Sequence, residues 1–299
     1  MLQILRIIRP LNLGLLAFAL LGLLLFTLRF NEASLNPSVS PLWMGILLIY
    51  ILCTVTASGY IINDLIDVKA DEINKPHKQI VGKHISENST KWLYFGLLID
   101  TLLFAVFLSW FSDKALIIPI VSVLQLMLYV YSKYLKTSYL FGNIWVALLT
   151  ASPYAIFAYV FDAAGNVFII CSILSGSAFL LNLIRELSKD WEDISGDSIV
   201  NAKTFPIVRG VQATKSALIF LITCSFLAHL ALFISPMAFG ETLAYTLLLL
   251  GPVILVIILH VLFFFGVSTF NWSPKKLSAL LKIMMFLGVL WCYYLLIVF

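Results

Sequence analysis

The sequence predicts an all-α, polytopic membrane protein: nine transmembrane helices around a central cavity, with a cytoplasmic cap. Three observations predict it, namely the composition, a series of apolar stretches of spanning length, and the placement of the basic residues. Of 299 residues, 62% are hydrophobic and 11% are charged, against roughly a quarter charged in a soluble domain. Mean hydropathy is +1.03, which excludes an ordinary soluble fold. The net charge of +4 excludes nothing by itself, so the position of the charges has to carry the argument. No nucleic-acid partner is expected. Cys53, Cys171, Cys224 and Cys292 lie inside apolar runs without paired or metal-ligand spacing, and read as small core residues.

A helix needs roughly 17–25 apolar residues to cross the hydrocarbon. Nine stretches qualify or nearly do: about 11–29, 42–62, 91–111, 115–132, 139–161, 166–187, 213–234, 241–267 and 276–298. Asn36-Pro37, Asp162 to Asn166, Ser235-Pro236 and Ser273-Pro274 punctuate them. The first follows Arg6 and Arg9 but is not followed by a small-residue cleavage site, so it reads as a span rather than a signal peptide.

Cytoplasmic loops carry the excess of Lys and Arg. With the N-terminus cytoplasmic, the outer loops hold only Arg29 and Lys114, whereas Arg6, Arg9, Lys75, Lys78, Lys83, Lys133, Lys136, Arg185, Lys189, Lys203 and Arg209 fall at the inner side. The expected placement is integral and multi-pass in the cell inner membrane, with the C-terminus outside.

The segments around 63–90 and 188–212, with Glu186 just before the second, hold ten of the fifteen acids. Asp64, Asp67 and Asp71 stand at i, i+3 and i+7, and Asp190, Asp193 and Asp197 repeat that spacing four spans later. On one helix such a spacing stacks three carboxylates on one face. The recurrence points to a weak internal repeat, parts about 1–138 and 139–299, within one domain spanning 1–299. Long connections in a compact bundle are usually functional.

Carboxylates gathered this densely repel unless a cation sits among them, and oxygen ligands without histidine suit Mg2+. Mg2+ is normally shared between a few carboxylates and substrate phosphate oxygens. Lys75, Lys78, Lys83, Lys136, Arg185, Lys189 and Lys203 are interleaved with the acids, as a site binding Mg2+ and an anion together requires. Helix caps and polar exits would explain acids in general, but not the same spacing twice. A diphosphate head on a long hydrocarbon tail fits a site at the inner face of an apolar bundle, and a prenyl diphosphate has both.

Four segments carry a resemblance over essentially the whole chain: Arg9-Pro10-Leu11-Asn12, Asn63 to Asp71, Tyr131-Ser132-Lys133-Tyr134-Leu135-Lys136, and the second Asp motif. In these the chain resembles the UbiA-type intramembrane prenyltransferases. Its second motif, Arg185-Glu186 through Lys189-Asp190 and Gly196-Asp197 to Lys203-Thr204-Phe205-Pro206, is similar to the digeranylgeranylglyceryl phosphate synthase branch. After the first motif the resemblance implies an Arg-Pro pair, where this sequence has Lys78-Gln79.

The resemblance implies a Mg2+-dependent transfer of a prenyl group, best read as geranylgeranyl, to a hydrophobic or lipid-linked acceptor such as geranylgeranylglyceryl phosphate, itself drawn from membrane lipid. The expected metal ligands are Asn63, Asp64, Asp67, Asp71, Asp190, Asp193 and Asp197. Arg9, Asn12, Asn63, Lys136, Arg185, Lys189 and Lys203 are expected on substrate, with Asp64, Asp67, Asp190, Asp193, Lys136 and Tyr131 as the catalytic set. Position alone would also allow Arg9 and Asn12 to be an anchor and a helix start. Asp100, His229 and His260 lie inside spans and read as satisfied structural groups, while His77 and His84 read as solvated loop residues. Two other readings stand beside this one: prenylation of an aromatic quinone precursor, and a cation-coupled transporter.

Overall fold

The computed structural model describes residues 6–30, 40–68, 71–72, 79–199, 202–238 and 243–298, with side chains described for fewer. The described residues form helices joined by short turns, with one isolated bridge between Val81 and Ile85. In order these are α1 (Pro10–Phe30), α2 (Pro41–Ile66), α3 (Glu87–Ser112) and α4 (Ile117–Val130), which a π-helical turn (Tyr131–Leu135) prolongs. Then come α5 (Phe141–Val160), α6 (Gly165–Glu192), α7 (Ile194–Ile199), α8 (Phe205–Ala238), α9 (Leu243–Ser268) and α10 (Pro274–Val298).

Seven segments among the described residues are long and apolar enough to cross a membrane: α1 to Arg29, α2, α3, α4 with its π turn, α5, α6 and Phe205–Leu230 of α8. The chain is an integral, multi-pass membrane protein on that evidence. In α9 the stretch Ile254–Ser268 is apolar but shorter.

Local chemistry sets several boundaries. Pro10 and Pro41 open α1 and α2, where a missing N–H costs nothing. Ser86 caps α3 by accepting from the Ser89 N–H at 3.1 Å, and α3 ends on Asp113 in the left-handed region at φ 55°. α8 is broken at Gly210, whose φ of 81° and ψ of 166° lie outside the helical region.

The chain divides into two compact units, Met1–Lys136 with Pro153–Phe168, and Thr137–Ser152 with Ile169–Phe299. In the first, α2 packs against α1, α3, α4 and the π turn. Ile7, Ile61, Ile62, Val68, Val81 and Tyr94 form a buried cluster at the Asp64 end of α2. In the second, α8 packs on α9 and α9 on α10. Its buried cluster joins Leu181, Ile184 and Leu187 of α6 to Leu218, Phe263 and Leu277.

The polar residues inside apolar segments are mostly satisfied. Tyr50 donates to Asp100 at 2.7 Å, with Asp100 half-buried rather than buried. His229 and His260 bond the Ser225 and Val256 carbonyls at 2.7 and 2.8 Å, and Ser225 Oγ lies 3.2 Å from His260 Nε2. Cys53, Cys171 and Cys224 are free thiols. Lys75, His77 and Lys78 lie outside the described residues, and His84 is exposed.

Candidate active site

The two acid clusters share the same main-chain hydrogen bonds at their second and third aspartates. Both long helices run on through the first aspartate, because main-chain hydrogen bonding needs no apolar side chain, and both break at the second. Asp67 is the C-cap of α2, its N–H bonded to the Asn63 carbonyl at 3.0 Å, and Asp193 donates likewise to the Lys189 carbonyl at 2.9 Å. The third aspartate then donates to the carbonyl of the second: Asp71 to Asp67 at 2.8 Å, and Asp197 to Asp193 at 2.9 Å. The expected single helical face is therefore interrupted at its middle residue in each copy, while the third aspartate still bonds four residues back. Short elements follow: Asp71 and Glu72 are helical in the first copy, and α7 holds Asp197 in the second.

In the first unit the carboxylates are met by cations. Arg9 Nη2 donates to Asp64 Oδ1 at 2.8 Å, and its guanidinium sits 4.6 Å from the centre of the Tyr60 ring. Arg9 holds a left-handed backbone at φ 54°, a conformation that costs a non-glycine residue on the order of 1 kcal/mol or more. Asn12 donates to Tyr60 Oη at 3.2 Å, so Tyr60, which the sequence did not single out, meets both Arg9 and Asn12. Asn63 Nδ2 donates to Asp67 Oδ2 at 2.9 Å, and Lys136 Nζ bonds the same oxygen.

The π turn brings Lys136 to that position. The Lys136 N–H bonds the Tyr131 carbonyl five residues back at 3.0 Å, and the wider turn rotates the following residue relative to an α-helix. Tyr131 is half-buried at the start of the turn. Lys133, on the same turn, donates to Tyr129 Oη at 3.0 Å.

In the second unit Asn143 of α5 donates to Asp190 Oδ2 at 2.7 Å. Glu186 is buried and accepts from Arg185 at 2.6 Å and from Lys189 at 2.9 Å. Two cations expected on substrate are thus gathered by one carboxylate. The Lys203 N–H donates to the Thr137 carbonyl at 3.0 Å, and its side chain is exposed. Beyond it, Arg209 Nε donates to Tyr139 Oη at 3.1 Å, and Tyr139 stacks on Phe205 at 5.2 Å.

Tyr60 and Asn143 are the residues sequence reading missed, and Glu186 is read in the second motif without a role. Tyr60 and Asn143 are each a polar residue near the edge of an apolar stretch, which was their only local signal. Among the described residues, no three Asp, Glu, His or Cys side chains surround a common point. Asp64, Asp67 and Asp190 are held instead by Arg9, Lys136 and Asn143.

The UbiA prenyltransferase family matches residues 15–290. The chain belongs to that family. It is 36% identical over 201 residues to a protein of Saccharolobus solfataricus named digeranylgeranylglyceryl phosphate synthase. The match spans 66% of each chain, just under two thirds of that relative's length.

Two solved structures share the fold of this UbiA-family chain. The first concerns digeranylgeranylglyceryl phosphate synthase in membranes, and superposes with a TM-score of 0.68 at 25% identity over 98% of this chain and 96% of its own. The second is a UbiA homolog from Archaeoglobus fulgidus bound to DMAPP and Mg2+, with a TM-score of 0.66 at 18% identity over 97% and 98%.

Proposed function

We propose that this prenyltransferase moves a prenyl group, geranylgeranyl by our reading, from its diphosphate to a lipid acceptor such as geranylgeranylglyceryl phosphate, in a Mg2+-dependent reaction. The observation that carries it is the repeated acid cluster. Twice, a membrane-spanning helix ends in three aspartates with the same backbone hydrogen bonds and with Lys or Arg side chains among or beside them. The name of the Saccharolobus solfataricus relative supports the acceptor, and the DMAPP and Mg2+ bound by the Archaeoglobus fulgidus homolog support the donor class and the ion.

The residues suit Mg2+ by their chemistry, since both clusters offer carboxylate and amide oxygens and no histidine or thiolate. Asn63, Asp64, Asp67 and Asp71 would hold it at one cluster, and Asp190, Asp193 and Asp197 at the other. Bound there, Mg2+ neutralises charge on the diphosphate and on the same group as it leaves. Arg9 and Lys136 already contact the first cluster, and Lys136, Lys189 and Lys203 are assigned the leaving diphosphate. The donor's allylic C1–O bond breaks with its electron pair departing on that diphosphate. The acceptor hydroxyl oxygen then bonds to C1 and releases its proton to solvent. Water at the cation would divert it, so the apolar surroundings serve to exclude it.

The reading includes one domain over residues 1–299 with two weakly repeated parts, and nine spans, α9 and α10 completing the count. It also places the N-terminus and both clusters on the cytoplasmic side, with short helices in the two long loops as the cytoplasmic cap. Incubating purified protein with mixed prenyl diphosphates and candidate acceptors, and weighing the product by mass spectrometry, tests the substrates. A geranylgeranyl ether of the glyceryl phosphate is expected. Product from hydroxybenzoate or a naphthoate, with none from glycerol phosphates, would overturn the acceptor and select the quinone-precursor reading.

A further inference from the structure

We propose that Gln79 is a positioning residue for the first aspartate cluster, acting through the backbone beside Asp67. This rests on the reading of Asp64, Asp67 and Asp71 as Mg2+ ligands. Gln79 is 5% exposed, and its Nε2 donates to the carbonyl of Val68, the residue next to Asp67, at 3.2 Å. Its Oε1 is buried and meets no hydrogen-bond partner among the described residues.

The ground under this bond is well packed. Residues 80–85 form a tight turn, closed by Gly82 N–H to the Ile85 carbonyl at 2.8 Å and His84 N–H to the Ile80 carbonyl at 2.8 Å. Gly82 turns at φ 85°, and a Cβ there would lie 3.5 Å from Val68 Cγ1 and 3.6 Å from Gln79 Nε2. Val68 and Val81 are buried together with Ile61, Ile62 and Tyr94. Apolar contact therefore already holds the turn against the end of α2, and Gln79 adds a single directional bond to the main chain that carries the aspartates.

A buried acceptor left unmet costs more than one net hydrogen bond returns. Leucine at this place would lose the bond to Val68 and also remove an oxygen that meets no partner among the described residues, so it would serve the fold there at least as well. A buried polar group that stability does not need is explained by what it orients. The resemblance implies proline here, which has no side-chain donor; in this chain the aspartate-bearing turn is held by the glutamine side chain instead.

The test uses the full chain in lipid nanodiscs, with Mn2+ binding followed by electron paramagnetic resonance in the presence of inorganic diphosphate, alongside Tm and the Mg2+ dependence of turnover. Q79L should keep or raise Tm, weaken Mn2+ about 5–10-fold, and raise the Mg2+ concentration for half-maximal rate equally, with kcat at saturating Mg2+ within about twofold. Q79M, which retains the length of the side chain, should behave the same and stands in if Q79L fails to fold. Wild-type Mn2+ affinity in both variants, while D67N loses it in the same assay, overturns the role of Gln79 alone. Wild-type affinity in D67N overturns the metal reading and this inference with it.

Discussion

At the scale of single residues, the carboxylates differ by what orients them. Asp67 takes Lys136 and Asn63 on one oxygen, while Asp190 takes the neutral Asn143 amide from another helix. Hydrogen bonds to a charged group contribute about 1.5–3 kcal/mol, and each 1.36 kcal/mol is tenfold in rate. Asn143→Ala should therefore lower Tm and, by freeing the Asp190 carboxylate, also lower kcat/KM about 10–100-fold. Asn143→Asp, which sets a second carboxylate against Asp190, should lower it further. Wild-type kinetics in both would show that Asp190 needs no such orientation. Removing a charge from either cluster is a larger change. Asp67→Asn and Asp193→Asn should each cut Mg2+-dependent diphosphate release by roughly 100-fold or more, a loss of about 3 kcal/mol of transition-state stabilisation; normal turnover in either would count against a metal role for that cluster.

At the scale of elements, glycines separate backbone from packing. Gly210 lies where essentially only glycine is at ease, at φ 81° and ψ 166°, and an added Cβ would meet nothing within 4 Å. Gly210→Ala should cost on the order of 1–3 kcal/mol from the main chain alone. Gly176, helical in α6 and equally free of neighbours, should do the reverse on substitution by alanine and gain about 0.5–1 kcal/mol. Opposite shifts of Tm are the expected readout, and equal shifts would remove the backbone argument. The helices themselves were legible, since a long apolar run in a membrane has almost no alternative to helix. Their ends were less so. The apolar runs stop near residues 62 and 187, but α2 reaches Ile66 and α6 reaches Glu192, because hydrogen bonding continues until a residue turns away. The π turn after α4 and the Asn143 to Asp190 bond also escaped sequence reading. The first is a one-residue change in bonding period, and the second joins residues 47 apart.

At the scale of the whole molecule, orientation follows from charge. The Lys114 to Asp162 ion pair ties the α3–α4 turn to the α5–α6 turn in the first unit. Those are the connections with few basic residues. Lys136 follows the opposite end of α4, and Asp190 lies at the opposite end of α6; on the excess of Lys and Arg we propose that both clusters are cytoplasmic. Two exposed positions test this in a background without native cysteines: His84→Cys beside the first cluster, and Asp162→Cys in the α5–α6 turn. In intact cells a membrane-impermeant maleimide should label the Asp162 position and leave the His84 position unmodified until the membrane is opened. The reversed pattern would put both clusters outside. The donor diphosphate, which does not cross the hydrocarbon unaided, would then have to be supplied from the outer side, and the cytoplasmic site would fall even with its chemistry intact.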